Sequence, residues 1–529
     1  LKGFKILNFS LIILAVILLI LLGYHLGKNY DIAIDENDDY IAISYSINEQ
    51  KMRRLMNLIE HQYVDDLDTD SLVDRTIDFI MENLDPHSMY IPKHNSAGNL
   101  QSQNGRYQGI GVEFYSPKDT AVIIRILSNS PNKDKLFFGD RLLAINQKNV
   151  IEQNVDSIPA YIESNPEKNI ELKILRGGEI LKVNVDRGTI SSPSVVDFYM
   201  IDDRVGYIKL IRFVDSSYDE FHQAILALKK QGMKSLIFDL RGNAGGLMSV
   251  AEKITDEFLR EDQLIVFTQD KSGKRSYRYA TAEGDFEQMP LYILVDESSA
   301  SASEIVAGAI QDQDAGTIIG RRTYGKGLVQ KEISLGDGSK VRLTTAHYFT
   351  PTGRSIQKPY AINSEEYKKD ISNRFMRGEF FSLDSIKKID SLKFKTPKGK
   401  IVYGGGGIIP DVFIPLDTLR LKYLVYTQEF EQALNYFIFK NLDENLSKFK
   451  KIKKEHFIIF YNADDLALKF IQESSTVKHP FEPKDKDYLA TYIKARMAEM
   501  LYDQETFYRV WRHQDEIINK AYEIAHGME

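Results

Sequence analysis

Three serines, Ser299, Ser301 and Ser303, alternate with alanines directly after a short apolar run at residues 291–295. The run is rich in branched side chains and ends at Asp296 and Glu297, so it predicts a buried strand feeding a turn. Residues 304–311 then carry Ile305, Val306, Ala309 and Ile310 at helical spacing, which puts the serines at a helix N-terminus. Unpaired amides and the positive end of the helix dipole favour a nucleophile whose attack creates an oxyanion. The same residues also fit a structural capping box of Ser301 with Glu304, and the serines alone do not separate the two.

Lys326 adds a second chemical group. It lies in Tyr324-Gly325-Lys326-Gly327, after a predicted strand at 317–320, with small neighbours that leave it room to reach inward. A serine–lysine pair needs a neutral amine, reached when burial away from carboxylates lowers the lysine pKa by roughly 2 to 3 units. No acidic residue lies between Gly316 and Gln330. A phosphate loop would also use Gly320, Gly325 and Lys326, but Gly327 stands where that motif needs Ser or Thr, and residues 328–333 read as a strand rather than a helix.

A third block, Asp239-Leu240-Arg241-Gly242-Asn243-Ala244-Gly245-Gly246, joins a predicted strand at 235–240 to a helix at 248–259. It lacks the spacing of a dinucleotide loop. Together, the serine segment 299–304, Lys326, Gln330 and this glycine turn resemble the carboxyl-terminal processing, or tail-specific, proteases in order and spacing. The resemblance implies that Ser301 is the nucleophile, Lys326 the general base and Gln330 the residue that orients the lysine. It also implies an oxyanion hole from the N–H groups of Ala302 and Gly246, with Gly245 a close alternative to Gly246. The implied fold is a crotonase-like α/β core, and the implied chemistry needs no metal or other cofactor.

Composition narrows the alternatives. A chain of 529 residues, 43% hydrophobic, is too long for one core. A net charge of −7 gives no footprint for nucleic acid. There are no cysteines, and the ten histidines form no HExxH or other close ligand pairing, which argues against a metal hydrolase.

Residues 6–24 form a nearly unbroken apolar run preceded by Lys2 and Lys5. Its length matches the roughly 20 residues of a spanning helix and predicts a signal anchor with the remainder outside the cytoplasm. With the resemblance, this implies the bacterial envelope, anchored in the inner membrane with a periplasmic catalytic part; a cleaved signal peptide and export is the alternative. Helical periodicity over 43–84 ends at Leu84-Asp85-Pro86, and His87 just beyond reads as a turn residue.

Strands predicted at 109–114, 121–127, 141–146, 169–176 and 179–185, with one amphipathic stretch at 155–162, resemble a PDZ domain. Gly109, Ile110, Gly111, Val112 and Phe114 would then form its carboxylate-binding loop and apolar pocket. The segment 132–138 replaces the small-residue turn expected before Gly139-Asp140-Arg141. Strands at 205–210 and 235–240 with a helix at 218–230 begin an α/β layered core. Gly336-Asp337-Gly338 signals a hairpin, and residues 365–398 read as a charged excursion.

The expected organisation is an α/β multidomain protein: a membrane or signal segment (1–27), an N-terminal helical region (28–97), an inserted PDZ-like β domain (98–189), a serine protease core (190–415) and a C-terminal helical region (416–529). The last has an assembly or scaffold role by default, and the helical regions leave homo-oligomerisation open. The expected partners are protein or peptide substrates with free C-termini, the expected activity endopeptidase cleavage near those termini. The alternatives are a catalytically silent peptide-binding scaffold and a small-molecule ester or amide hydrolase.

Overall fold

The runs 205–210, 235–239, 291–295 and 317–320 are mostly apolar and almost entirely buried, as expected of parallel strands covered on both faces. In the computed structural model they are neighbours in one six-stranded sheet, ordered Val195–Met200, Val205–Leu210, Ser235–Asp239, Leu291–Val295, Thr317–Gly320 and Val412–Phe413. Only the first strand runs antiparallel to its neighbour. The structure describes residues 46–93, 105–117, 119–127, 129–165, 167–360, 365–417, 428–473 and 485–528. The apolar run at 6–24 lies outside these residues. Among the described residues no helix is long and apolar enough to cross a membrane.

The chain divides into two units, residues 1–73 and 74–529. In the first, helix Ile47–Gln62 is capped by the Ser46 side chain, which accepts the Glu49 N–H. The helical stretch expected over 43–84 is therefore two helices, the second being Thr69–Glu82, which runs across the boundary.

Within the second unit, alternate residues of each core strand face opposite ways. Leu236, Phe238, Ile293 and Val295 meet Phe221, Ile225, Val250, Ile254, Val306 and Ile310 from helices Ser217–Lys230, Met248–Asp256 and Ala302–Asp312. Tyr207, Ile237, Leu294 and Ile319 meet Ile517, Ile518 and Ala521 of the last helix, Glu516–Ala525. The far end of the chain, expected to carry only an assembly or scaffold role, thus supplies a layer of the core.

A second sheet holds Met89–Ile91, Lys340–Phe349, Leu264–Asp270 and Arg275–Tyr279, with Leu328–Ser334 paired to Lys340–Phe349 through the anticipated hairpin. The strands at 264–270 and 275–279 were not anticipated.

Residues 112–186 form a separate six-stranded sheet with helix Ser157–Ser164 and a core that includes Ile123, Leu142, Ile145, Ile158 and Ile170. The single strand expected over 109–114 is two. Arg106–Gly109 pairs with Gly188–Ser191, and Val112–Tyr115 pairs with Val122–Ile126. Gly111, at φ +72°, makes the break. Helices Gln428–Glu444, Lys486–Leu501 and Gln504–Trp511 share their own core around Leu434, Ile438, Phe457 and Ile493. They touch this six-stranded sheet through Phe439 on Tyr115, with ring centroids 5.6 Å apart, and Arg141 on Asp443 at 2.6 Å.

Candidate active site

The three serines leave strand Leu291–Val295 together but meet different surroundings. Ser299 is fully buried; its hydroxyl donates to the Leu240 carbonyl at 2.9 Å and accepts the Asp296 N–H at 3.0 Å. Ser303 is fully buried too and donates to the Asn243 carbonyl at 2.9 Å. Both hydroxyls tie the serine turn to the glycine turn. Ser301 alone of the three lines a cleft, of about 520 Å³, which it shares with Gly245, Gly246, Lys326, Gln330, Arg342 and Tyr348. Its backbone has φ +54° and ψ −113°, a conformation that costs a serine on the order of 1–3 kcal/mol and persists only where the surroundings enforce it.

Glu304 is one of those surroundings. Its carboxylate is fully buried and accepts the N–H of Ser301 at 2.9 Å, so this half of the anticipated capping box is formed. It does more than cap. The same carboxylate accepts the Gly325 N–H at 2.8 Å, the Lys326 N–H at 2.9 Å and the Thr323 hydroxyl at 2.5 Å. One side chain therefore sets the main chain of Ser301 against that of Lys326. Burial raises its pKa, against the pull of these donors. Tyr348 adds a second link from the other side, its hydroxyl donating to the carbonyls of Ser301 at 3.1 Å and Lys326 at 2.7 Å.

Lys326 Nζ donates to Gln330 Oε1 at 2.8 Å. Gln330 Nε2 in turn donates to the His87 carbonyl at 2.6 Å, which fixes which end of the amide faces the lysine. The anticipated turn at Leu84-Asp85-Pro86-His87 thus reaches the site through its backbone, while the His87 ring lies against Tyr367. Burial holds the Lys326 amine below the ordinary lysine range, helped by the Arg342 guanidinium and opposed by Asp85 and Glu304. No hydrogen bond joins Lys326 Nζ to the Ser301 hydroxyl in this arrangement.

The glycine turn lies against the serine. A Cβ on Gly245 would come within 2.8 Å of Ser301 Cβ, and one on Gly246 within 2.0 Å of the Phe213 carbonyl oxygen, so no larger residue fits either position. Asn243, fully buried, holds the turn: Nδ2 donates to the Leu210 carbonyl at 2.9 Å, Oδ1 accepts the Gly245 N–H at 2.9 Å, and its own carbonyl accepts the Ala300 N–H at 3.0 Å. The Gly245 amide is therefore occupied. The amides of Gly246 and Ala302 have no partner among the described residues.

The loop expected to bind a carboxylate is also supported from beneath. The Ile110 carbonyl accepts Ser130 Oγ at 2.9 Å and Asn132 Nδ2 at 3.0 Å. The amides of Ile110 and Gly111 have no partner among the described residues, and Val112–Tyr115 is an edge strand. Val112 and Phe114 are half-buried against the domain's core. Segment 132–138 is the source of Asn132, so the sequence that departs from the expected turn builds the buttress. Glu304, Asn243, Tyr348 and Asn132 were not singled out for these roles from sequence. Only Glu304 had a local signal, the capping-box spacing. Among the described residues no three His, Asp or Glu side chains are grouped to hold a metal ion.

Residues 204–366 match peptidase family S41, and residues 108–186 match a PDZ domain. A carboxy-terminal-processing protease of Bartonella bacilliformis is 32% identical over 307 residues, 56% of this chain and 70% of that protein. The carboxy-terminal processing protease CtpB of Bacillus subtilis is 28% identical over 58% of this chain and 65% of its own length. Among solved structures, the photosystem II D1 C-terminal processing protease is 22% identical, covering 70% of this chain and 88% of that one at a TM-score of 0.37. The chain belongs to the carboxy-terminal processing proteases of peptidase family S41, and it is a serine-type endopeptidase that carries a PDZ domain.

Proposed function

We propose that this protein cleaves exported proteins near their C-termini with a Ser301–Lys326 dyad, after the PDZ domain has taken hold of the substrate's tail. Neutral Lys326 accepts the Ser301 proton as Oγ attacks the scissile carbonyl, and later delivers it to the leaving amine. Gln330 holds the lysine, and the N–H groups of Ala302 and Gly246 receive the oxyanion. The observation that carries this reading is the contrast among the three serines: two hydroxyls are spent on buried carbonyls, while Ser301 shares a cleft with a pKa-depressed lysine and with Gly246, whose amide has no partner among the described residues. The Gly245 amide, bonded to Asn243, is the weaker oxyanion candidate.

Because Lys326 Nζ rests on Gln330 and not on Ser301, proton transfer needs the lysine to turn toward the serine. Tail binding at Gly109, Ile110, Gly111, Val112 and Phe114 supplies the substrate that prompts it. The α/β core is read as crotonase-like. The proposed organisation keeps the segments 1–27, 28–97, 98–189, 190–415 and 416–529, with Met89–Ile91 and Glu516–Ala525 added to the core. The location is the bacterial envelope, with residues 6–24 as anchor or signal and the catalytic part periplasmic; the helical regions are where copies would associate.

The test is incubation of the purified protein with an unstructured protein bearing a free C-terminus. Wild type should cut it near that end, and Ser301→Ala should fold but not cut. Cleavage by Ser301→Ala would overturn the dyad; cleavage spread evenly along the substrate would overturn the tail specificity.

A further inference from the structure

The Arg241 side chain points away from the cleft, toward the C-terminal helical region. Its Nε and Nη2 donate to Asp239 at 2.9 and 2.6 Å, and its Nη1 donates to Asp515 Oδ1 at 2.8 Å. Asp515 is the N-cap of the last helix, and its Oδ1 also accepts the N–H groups of Ile517 and Ile518. That cap is anchored, because Ile517, Ile518 and Ala521 are buried on the core sheet. Two residues beyond Arg241, Asn243 clasps both the glycine turn and the serine turn. A cavity of about 460 Å³ runs along the seam, bordered by Arg241, Gly242, Tyr508, Trp511 and Asp515. The outer side of the glycine turn is therefore not held by close packing alone, and the ion pair spans the seam.

We infer that Asp515 is a positioning residue for peptide hydrolysis, setting the Gly246 amide from the far end of the chain through Arg241. The turn has little stiffness of its own, since Gly242, Gly245 and Gly246 have φ values of +73°, +100° and +145°. An oxyanion donor works only if it is already in place when charge develops. The planar guanidinium, held along one edge by Asp239 and at its remaining nitrogen by Asp515, cannot pivot, and the peptide that follows it is fixed with it. The inference rests on Gly246 being an oxyanion donor.

The experiment uses the full-length chain and compares Asp515→Ser with Asp515→Asn. Serine keeps the helix cap but loses the contact with Arg241, and asparagine keeps both the cap and an acceptor oxygen for Arg241. In Asp515→Ser, kcat should fall about tenfold with KM nearly unchanged, as a small misplacement of a preset group would produce. Affinity for a peptide aldehyde, whose adduct places an oxyanion in the hole, should fall by the same factor. The thermal midpoint should stay close to wild type, and Asp515→Asn should recover most of kcat. Unchanged kcat and aldehyde affinity, a loss confined to KM, or a loss that follows the unfolded fraction would overturn the inference. If Ser301→Ala abolishes cleavage while Asp515→Ser is fully active, this inference alone fails; if Ser301→Ala still cleaves, the proposed mechanism fails as well.

Discussion

Gln330 holds the Lys326 amine with its carbonyl end at 2.8 Å and the His87 carbonyl with its amide end at 2.6 Å. The amide is pinned at both ends, so it offers the lysine an acceptor without a charge. A carboxylate in its place would favour the ammonium form and leave the His87 carbonyl without its donor. Gln330→Glu should therefore cut less at neutral pH than Gln330→Ala, which also loses the donor to His87 but adds no charge beside the lysine. A pH–rate profile checks this: the glutamate variant should need higher pH than wild type to reach half its maximum rate, and equal midpoints would refute it.

The lysine's own titration gives a second expectation. Only neutral Lys326 can take the serine proton, so kcat/KM should rise with pH through an apparent pKa below the roughly 10.4 of a free lysine. Lys326→Arg should be inactive across the range, because guanidinium stays protonated. Arg342 is one of the groups that hold the amine's pKa down, and it is paired with Glu332 at 2.7 Å. Arg342→Gln removes a repelling cation and loosens a carboxylate, and both changes favour the protonated lysine. The profile should shift to higher pH, with activity at pH 7 reduced and partly recovered at pH 9. A shift to lower pH would show that Lys326 is not the titrating group.

Asp197 predicts how stability depends on pH. It sits on the edge strand Val195–Met200, almost fully buried, and neither carboxylate oxygen has a hydrogen-bond partner among the described residues. Burial pushes its pKa well above the usual carboxylate range; Glu505 and Asp503 push the same way, and Arg509 and Lys209 oppose them. The folded state thus holds a proton that the unfolded state releases near pH 3.8. Its contribution to stability is complete below that value and is lost as pH rises toward the folded pKa. Asp197→Asn cannot ionise, so it should unfold at a higher temperature than wild type at pH 8, and the gap should narrow at pH 5. Thermal melts at the two pH values measure this directly, and a variant less stable at pH 8 would contradict it.

The strands at 205–210, 291–295 and 317–320 were legible because short, mostly apolar runs with branched side chains have few homes other than a doubly covered sheet. The strands at 264–270 and 275–279 were not. The second, Arg-Ser-Tyr-Arg-Tyr, is mostly solvent-exposed and is held as a strand by its register with the first. Ser301, Lys326 and Gln330 were legible through their order and spacing, but what supports them was not. Glu304 gathers Thr323, Gly325 and Lys326 only once the chain has crossed the sheet, and Arg241 meets Asp515 at a separation of 274 positions. Local pattern carries no trace of such contacts.

The last expectation concerns the substrate's tail. The loop at Ile110 and Gly111 presents amides without partners among the described residues next to an edge strand, the arrangement that lets a peptide add as a strand with its carboxylate on the N–H groups. Amidating a substrate's C-terminus removes the anion and a charge-assisted hydrogen-bond set, a loss of roughly 1.5 to 3 kcal/mol, or about tenfold to a hundredfold in binding. Gly111 is the residue to change. It has φ +72°, and a Cβ there would lie 2.7 Å from the Ser130 backbone, so even alanine must displace the loop. Ser130 also holds the Ile110 carbonyl, so that displacement reaches the carboxylate-binding amides. Wild type should cleave the free-acid substrate well ahead of its amide. Gly111→Ala should cleave both at the slower, amide-like rate, with Ser301 and Lys326 untouched. Measuring kcat/KM for the matched pair on both proteins decides the matter. Equal rates in wild type would remove tail recognition from the mechanism and leave the dyad intact, and a preserved free-acid preference in Gly111→Ala would move the binding loop elsewhere.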